Sequence, residues 1–598
     1  MVIKFFTIFA PKYQLTSLHI FLKLLMRKKL FSTLTLLLVA MASWGQVLNI
    51  GGHRVVFDTL NQMWLCSIPQ SSFGSDYTAT INYGDSISEF VVEGNLIGNG
   101  EQCVFEGVEG GKKYTVTAHL NDTVLITGYI TFTWLPVVEL YGNFNDYYRY
   151  ATVVVSEPDS AMAQPMFAKI KRRGHSTNTG NSHKLNFRIK FLNAEDSTKE
   201  NHRFFGLRDD NTWLLDAGQH DFLRVRNRVA TDLWMDMARR AWYTDSLPNA
   251  RKASRGTMVE VLLNGEYMGF YNMCEPLDRK QLKLKRYDED KKKFHGLMYE
   301  ATAWTRTVTM TDPKTLNPSM AGWDGFKMNY PDYDEIGRVY WKPLYNAVQF
   351  AQRADASIKL REDSLGYYFD LPVMQDYYIF ISAIQALDNE SKNIFYGIYD
   401  TELDNRLTMF PWDLDISLGA NVRPELNQPE VVSPERSFEW IGLLPMADMM
   451  QVPSFHEQVK ERYQELRKTF LDTENLVNRF RTMINNLEAC GAADREEKRW
   501  SKDTDLARKV LDLSAEMDYV EDWIRRRMAY MDENFPTPIP QYPRGDVNLD
   551  GEVNIADINT LIDIILGGVD NSMGQSDVNL DGEVNLADIN TDLDIILN

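Results

Sequence analysis

The sequence predicts a multidomain protein: an N-terminal β-sandwich, an α+β core with a helical C-terminal part, and a small α-helical tail. Three observations carry that reading. Short runs alternating apolar and polar residues fill positions 47–135. Strand-like and helix-like runs then mix without regular alternation to about 435, and helical periodicity dominates 440–535. The chain closes on two near-identical segments offset by 31 residues, Asp546 onward and Asp577 onward.

The sandwich is read from runs such as TATINYG, EFVVEG, KYTVTAHL and TVLITGYITFTW, broken by Gly, Asn and Asp. Its expected span is 46–135, and nothing in it suggests catalysis. Before it, Met26-Arg-Lys-Lys opens a basic stretch followed by the short apolar run Leu30–Met41 and small residues. That is the pattern of a secretory signal peptide over 1–45, with Met26 the better start and cleavage after Ala42 or just before Gln46. The run is shorter than the roughly 20 residues a spanning helix needs. The expected mature protein is therefore exported, secreted or held at the cell surface or in the periplasm, without a membrane span. Cys66 and Cys103 are a candidate disulfide pair in such a compartment; Cys274 and Cys490 read as buried thiols, and no spacing suits zinc.

The 598 residues allow roughly four domains. With 44% hydrophobic and 25% charged residues there is ample apolar material for a large core. The net charge of −19 argues against nucleic acid as a partner, because phosphate backbones need a basic face. It suits carboxylates that hold cations.

The core, expected over 136–535, begins with FAKIKRRG and HKLNFRIKFL, two strands around a small-residue, hydroxyl-rich loop. DFLRVRNRVATDLWMDMARRAWYT reads as an amphipathic helix with Asp221 as N-cap. Arg226 and Asn227 within it read as structural residues bonding to nearby loops. MVEVLLNGEYMGFYNMCE is a hairpin turning at Asn264-Gly265. MQDYYIFISAIQAL is a buried helix. Most tryptophans, such as Trp213 and Trp234, sit in apolar patterns and belong to the core rather than to a sugar-binding surface. Residues 536–545 are a proline-rich linker.

Each terminal repeat has the oxygen-ligand spacing of a calcium loop. Asp546, Asn548, Asp550, Glu552 (through its carbonyl), Asn554 and Asp557 fall at loop positions 1, 3, 5, 7, 9 and 12, with Gly551 at the sharp turn. Asp577, Asn579, Asp581, Glu583, Asn585 and Asp588 repeat the set around Gly582. Alternate residues of a tight loop supply the six to eight oxygens that Ca²⁺ takes, so two Ca²⁺ are expected. Each loop is followed by one helix and lacks an entering helix. The pattern over 546–598 resembles the type I dockerin domain. The resemblance implies a calcium-dependent attachment module for a cohesin-like or cell-surface partner. The usual recognition positions hold Ile555-Ala556 and Leu586-Ala587 instead of a Ser/Thr pair.

The stretch LDNESKNIFYGIYDTELDNRLTMFPWDLD sets carboxylates at the ends of two apolar runs. Asp388 and Asn393 are followed by two strands turning at Leu403-Asp404-Asn405, which deliver Asp413 and Asp415 to the same end. A phosphoryl-transfer site needs a base for the attacking hydroxyl, oxygen ligands for divalent metal, and a cation for phosphate. The hydroxyl-rich loop suits close approach to phosphates, and Lys184 follows it. There is no G-x-G-x-x-G, so a standard kinase is excluded.

In RRGHST with HKLNFRIKF, W-L-L-D with D-F-L-R-V-R-N, LLNGEYMGFYNMCE, D-N-E-S-K-N and PWDLDISLG, residues 137–535 resemble the CotH kinase family of spore-coat-type atypical kinases. The resemblance implies a degenerate protein-kinase-like fold that binds ATP with Mg²⁺ or Mn²⁺ and phosphorylates a protein acceptor. By motif, Asp388 is the base, Asn393 and Asp413 are metal ligands, and Asp415 is a second or structural one. Lys184 is the phosphate lysine, Ser176 belongs to the phosphate loop, and Glu275 closes the strand bordering the adenine. His175 stands where the family often has Asn, and His183 where a second Lys often precedes Lys184. Two other readings stay open: a surface attachment protein whose kinase-like domain is inactive, and a dockerin-borne component of a polysaccharide-degrading complex whose paired acids are glycosidase carboxylates.

Overall fold

Alternating apolar residues demand strands with one dry face. The computed structural model describes residues 48–120, 124–160, 163–174, 183–353, 357–420, 432–436, 443–501, 510–536, 544–548, 550, 552–567, 576–579 and 583–597. The expected signal peptide lies outside them. The chain divides into two compact units. The first takes the described residues up to Asn143 with Ala151–Met166 and Glu260–Gly269; the second takes Phe144–Tyr150, Phe167–Val259 and those from Phe270 on.

In the first unit β1 (Leu48–Ile50), β2 (His53–Asp58), β3 (Met63–Ser67), β4 (Tyr77–Tyr83), β5 (Ile87–Val92), β6 (Asn95–Leu96), β7 (Gln102–Phe105), β8 (Tyr114–Leu120) and β9 (Val124–Thr133) form one sheet, ordered β6-β5-β8-β9-β3-β2-β1-β4-β7. Its β7 edge shares a core with interior strands: Phe105 of β7 meets Tyr114 of β8 and Phe132 of β9 at ring distances of 5.2 and 5.0 Å. The strand order is thus continuous, and the sheet curls to close its core. β10 (Val137–Gly142) carries Glu139, which takes two hydrogen bonds from buried Arg54, at 2.6 and 3.1 Å. Cys66 and Cys103 do not pair. Each packs as a free thiol in the apolar core, as do Cys274 and Cys490 in theirs.

Next come β11 (Arg149–Ser156), β12 (Met166–Arg173), β13 (Asn186–Phe191) and β14 (Thr212–Asp216). β12 and β13 pair antiparallel. Ala168, Ile170 and Arg172 face Phe191, Ile189 and Phe187 on one side; Lys169, Lys171 and Arg173 face Lys190, Arg188 and Asn186 on the other. β13 pairs with β14 in turn. Helix α1 spans Arg226–Met237, starting five residues after the expected N-cap. Asp221 does not cap it in the usual place. Its carboxylate instead accepts the N–H groups of Leu223 and Arg226 at 2.8 and 2.6 Å, so the chain makes one more turn before the helix begins.

β15 (Gly256–Leu263) and β16 (Glu266–Cys274) form the expected hairpin. Asn264 and Gly265 both take positive φ, 50° and 82°, as a type I′ turn requires. A second sheet collects β17 (Leu297–Ala301), β18 (Gly322–Trp323), β19 (Phe326–Tyr330), β20 (Ile394–Ile398) and β21 (Thr408–Pro411), ordered β18-β19-β17-β20-β21. Helices α2 (Lys342–Ala351), α3 (Ile358–Tyr368) and α4 (Leu371–Ile384) precede β20; α4 is buried along nearly its whole length. The helical part comprises α5 (Leu444–Gln451), α6 (Pro453–Arg467), α7 (Thr473–Ala489), α8 (Ala492–Trp500) and α9 (Leu513–Asn534). α10 (Ile555–Ile565) and α11 (Leu586–Leu597) close the chain around Val547, Leu561 and Val578.

Buried ion pairs tie the helices to the strands. Glu496 of α8 accepts Lys184 Nζ and Arg224 Nε, both at 2.8 Å, and the Phe270 N–H at 3.0 Å. Arg226 spans Asp221 and Glu516 of α9, both at 2.6 Å. Breaking such a pair strands an unpaired charge in a medium that solvates it poorly. Glu496→Ala should therefore cost about 3–5 kcal/mol in denaturant unfolding; a loss below about 1 kcal/mol would mean the cluster relaxes to water.

Candidate functional site

Hairpin β20–β21 sets the geometry. Ile394 pairs with Pro411, so Asn393 and Trp412 are the next rung, and the Trp412 N–H donates to the Asn393 carbonyl at 3.0 Å. Asn393 and Asp413 both adopt left-handed backbone, φ 56° and 58°. Such conformations cost energy in non-glycine residues and recur where side chains must be aimed. Asp388 lies in the 3₁₀ turn Leu387–Glu390. Asn389 beside it is fully buried and donates from Nδ2 to the carbonyls of Asn393 and Trp412, at 3.2 and 2.8 Å. That amide pins the Asp388 turn to the hairpin. Lys392 pairs with Asp388 at 2.7 Å.

A fourth carboxylate joins these. Asp216 ends β14, and Asn227 on the first turn of α1 donates to it at 2.6 Å. The Asn227 side-chain oxygen, Oδ1, accepts the Leu414 N–H at 3.0 Å, between Asp413 and Asp415. One amide thus locks Asp216 to the hairpin's end. Asn227 bonds to nearby segments, as its place in the sequence suggests, whereas nothing in the sequence marks Asp216. An acid ending an apolar strand looks the same whether it meets water or a site.

Charge crowding follows. Asp413 stays open to water, yet the surrounding protein and then the Asp216 and Asp388 carboxylates push it up to about 6, against Arg173 and Lys392. Asp415 is pushed well above the usual range by burial, then by Asp413 and Asp216. Among the described residues no donor reaches the carboxylate of Asp413 or Asp415. The four carboxylates feel one another's charge, yet no three of them bring oxygens within 4.8 Å of one another; a divalent cation, which takes hard oxygens, would have to draw them in.

The other residues implied by motif are elsewhere or saturated. Lys184 is fully buried, donating to the Phe270 carbonyl and to Glu496 at 2.8 Å each. Burial outweighs the attraction of Glu496 and pulls its ammonium down to about 8. Glu275 is buried too, accepting the Arg208 N–H at 2.7 Å, Arg255 at 2.8 Å and Gln281. It ties three segments together. Ser176 and His175 lie outside the described residues.

In the tail, the loop acids organise their own backbone. Asp557 accepts the N–H groups of Asn548 and Asn554 at 2.9 and 2.8 Å, and Asp588 those of Asn579 and Asn585 at 3.0 and 2.8 Å. Asp546 and Asn548 both accept the Asp550 N–H. Asn554 caps α10, with Asp557 completing a capping box. Asp581, Gly551 and Gly582 fall outside the described residues. Asp592, where the first repeat has Leu561, is buried without a hydrogen bond, and burial and Asp557 push its carboxyl up to about 6.

Compared with known families, residues 170–531 match the model described as CotH kinase protein, and residues 544–591 match the Dockerin type I domain. Type I dockerin domains generally bind calcium and attach extracellular proteins to cohesins. No curated protein matches the chain. No helix among the described residues is long and apolar enough to cross a membrane.

Two outcomes follow from the crowding. A carboxyl raised in the folded state is more readily protonated there than when unfolded, so its ionisation destabilises the fold as pH rises from about 4 to about 6. In metal-free buffer, Asp413→Asn should thus melt higher than wild type above pH 6, and the gap should close toward pH 4. A gap independent of pH would contradict this. Asp592→Leu should raise the melting temperature of the calcium-free tail, followed by the far-UV signal of the full chain; a fall would show that the carboxylate has a partner in solution.

Proposed function

We propose, because this chain belongs to the CotH kinase protein family and carries a type I dockerin domain, that it is a secreted atypical kinase which phosphorylates a Ser or Thr hydroxyl of a protein acceptor and is tethered by its tail. The observation that carries the reading is the rim where Asp388, Asn393, Asp413 and Asp415 meet at one end of β20–β21. Its protein-kinase-like architecture is part of the proposal.

Asp388 acts as the base. It receives the acceptor proton, and Lys392 at 2.7 Å fixes its orientation. Asn393, Asp413 and Asp415 would hold Mg²⁺ or Mn²⁺, and the ion would supply neutralisation of the ATP phosphate charge. Asp216 adds negative charge, which raises the affinity for a divalent ion and discourages monovalent ones. Asn389 and Asn227 keep base and ligands in register. Two Ca²⁺ occupy the tail loops through Asp546, Asn548, Asp550, Glu552, Asn554 and Asp557, and through Asp577, Asn579, Asp581, Glu583, Asn585 and Asp588. Along α10 and just after it Ile555, Ile562 and Leu566 are exposed, and so are Leu586, Leu593 and Leu597 at the repeat-equivalent positions of α11. A cohesin-like partner would meet apolar contacts there rather than hydroxyls.

One observation favours a second reading, an attachment protein without transfer activity: the ammonium of Lys184 is buried and already paired. Labelled-phosphate transfer from ATP by the full chain with Mg²⁺ or Mn²⁺ separates the two. The kinase reading expects incorporation by wild type that Asp388→Ala and Asp413→Ala each lower by about 10²-fold or more. No incorporation, with no ATP-induced rise in melting temperature under either metal, would leave the attachment reading. Calorimetry should find two Ca²⁺ per chain, and one in Asp588→Ala.

A further inference from the structure

The outward face of the β12–β13 hairpin is strongly basic in a chain whose net charge is −19. The pairing sets Lys169 directly opposite Lys190 and Lys171 opposite Arg188, with Arg173 on the next rung opposite Asn186. Like charges directly opposite each other destabilise an antiparallel pair. Three of the ammonium groups, those of Lys169, Lys171 and Lys190, gather over the Tyr148 ring at 5.4, 5.1 and 5.1 Å from its centre. Among the described residues none of the five cations makes an ion pair. Glu300 is the nearby acid, and its carboxyl is itself raised by burial and hydrogen-bonded by Asn329. Arg188 Nε is buried without a partner. The cluster strains itself enough that burial and neighbouring cations lower the ammonium pKa of Lys171 and Lys190.

This face runs into the carboxylate rim. Arg173 lies over the Trp412 ring at 5.5 Å and is close enough to Asp413 to stabilise its charge. On the same rung Asn186 accepts the Ala217 N–H at 2.6 Å, next to Asp216. Two residues along a strand advance about 7 Å. Arg173, Lys171 and, across the pair, Arg188 thus present donors at successive steps away from Asp413. Arginine forks and ammonium groups in such a row suit the linked anions of a polyphosphate.

We propose that this cationic face, rather than Lys184, holds the polyphosphate of the nucleoside triphosphate, with Arg173, Lys171 and Arg188 as its donors and the terminal phosphate toward Asp413. The proposal rests on the kinase reading and names the phosphate site within it. It leaves Lys184 as a structural cation joined to Glu496.

The test uses the full chain and two probes: ATP with Mg²⁺, and inorganic tripolyphosphate without metal. Wild type should bind both, more weakly as salt rises. The double variant Lys171→Ala/Arg188→Ala should weaken both by about tenfold or more, since each lost contact is a charge-assisted hydrogen bond. Its melting temperature should not fall, because the substitution removes a repulsive pair; a folded, stable variant with lost binding is the supporting result. Wild-type affinity for ATP in that variant overturns the proposal and leaves the kinase reading standing. The same holds if the variant loses binding of a polyglutamate peptide but keeps ATP, which would make the face an acceptor-docking strip. If wild type binds neither ATP nor tripolyphosphate, the kinase reading falls together with the proposal.

Discussion

The carboxylates of Asp216, Asp388, Asp413 and Asp415 repel one another, and their loops would part unless something tied them together. Two side-chain amides are the ties. Asn389 joins the Asp388 turn to both strands at the open end of β20–β21, and Asn227 joins Asp216 to the residue between Asp413 and Asp415. Neither adds charge: Asn389 ties by donating twice from Nδ2, and Asn227 by donating from Nδ2 while accepting at Oδ1. Everything else serves that arrangement. α4 is buried so that the turn following it is fixed, and the Arg226 pairs anchor the start of α1 from which Asn227 projects.

The cost of crowding is visible in the raised carboxyl groups of Asp413 and Asp415, and in the proposed reading a bound divalent ion would relieve it. The opposite excess sits on β12 and β13, which set cations against cations, with Arg173 reaching the Trp412 ring. Two like-charged patches of opposite sign, each unfavourable alone, are jointly suited to a metal–polyphosphate ligand. The terminal repeats use related physics on a smaller scale: loop acids accept hydrogen bonds from their own backbone and so shape the loops proposed to take calcium.

What the sequence made legible was local. The Asn264-Gly265 turn, the β20–β21 hairpin with its terminal acids, the buried helix before Asp388 and the paired calcium loops all follow from period, turn chemistry and fixed spacing. What it hid was contact between distant segments. Asp216 and Asn227 lie far in sequence from Asp413, and Glu496 is 312 positions from the Lys184 it holds. Lys184 follows a polar loop and opens a strand, so nothing local reveals that a helix from the C-terminal part covers it. Asp221 misled in the other direction: it has the chemistry of an N-cap, but its carboxylate is drawn to Arg226 and delays the helix.

The central claim is that the rim binds a divalent metal through Asp413, and Mn²⁺ binding followed by electron paramagnetic resonance, with the tail loops saturated by Ca²⁺, tests it most directly. Wild type should take up Mn²⁺ that added Mg²⁺ displaces, and Asp413→Asn should lose that uptake while keeping its fold. Equal Mn²⁺ uptake by the two proteins, or none by wild type, would contradict the account.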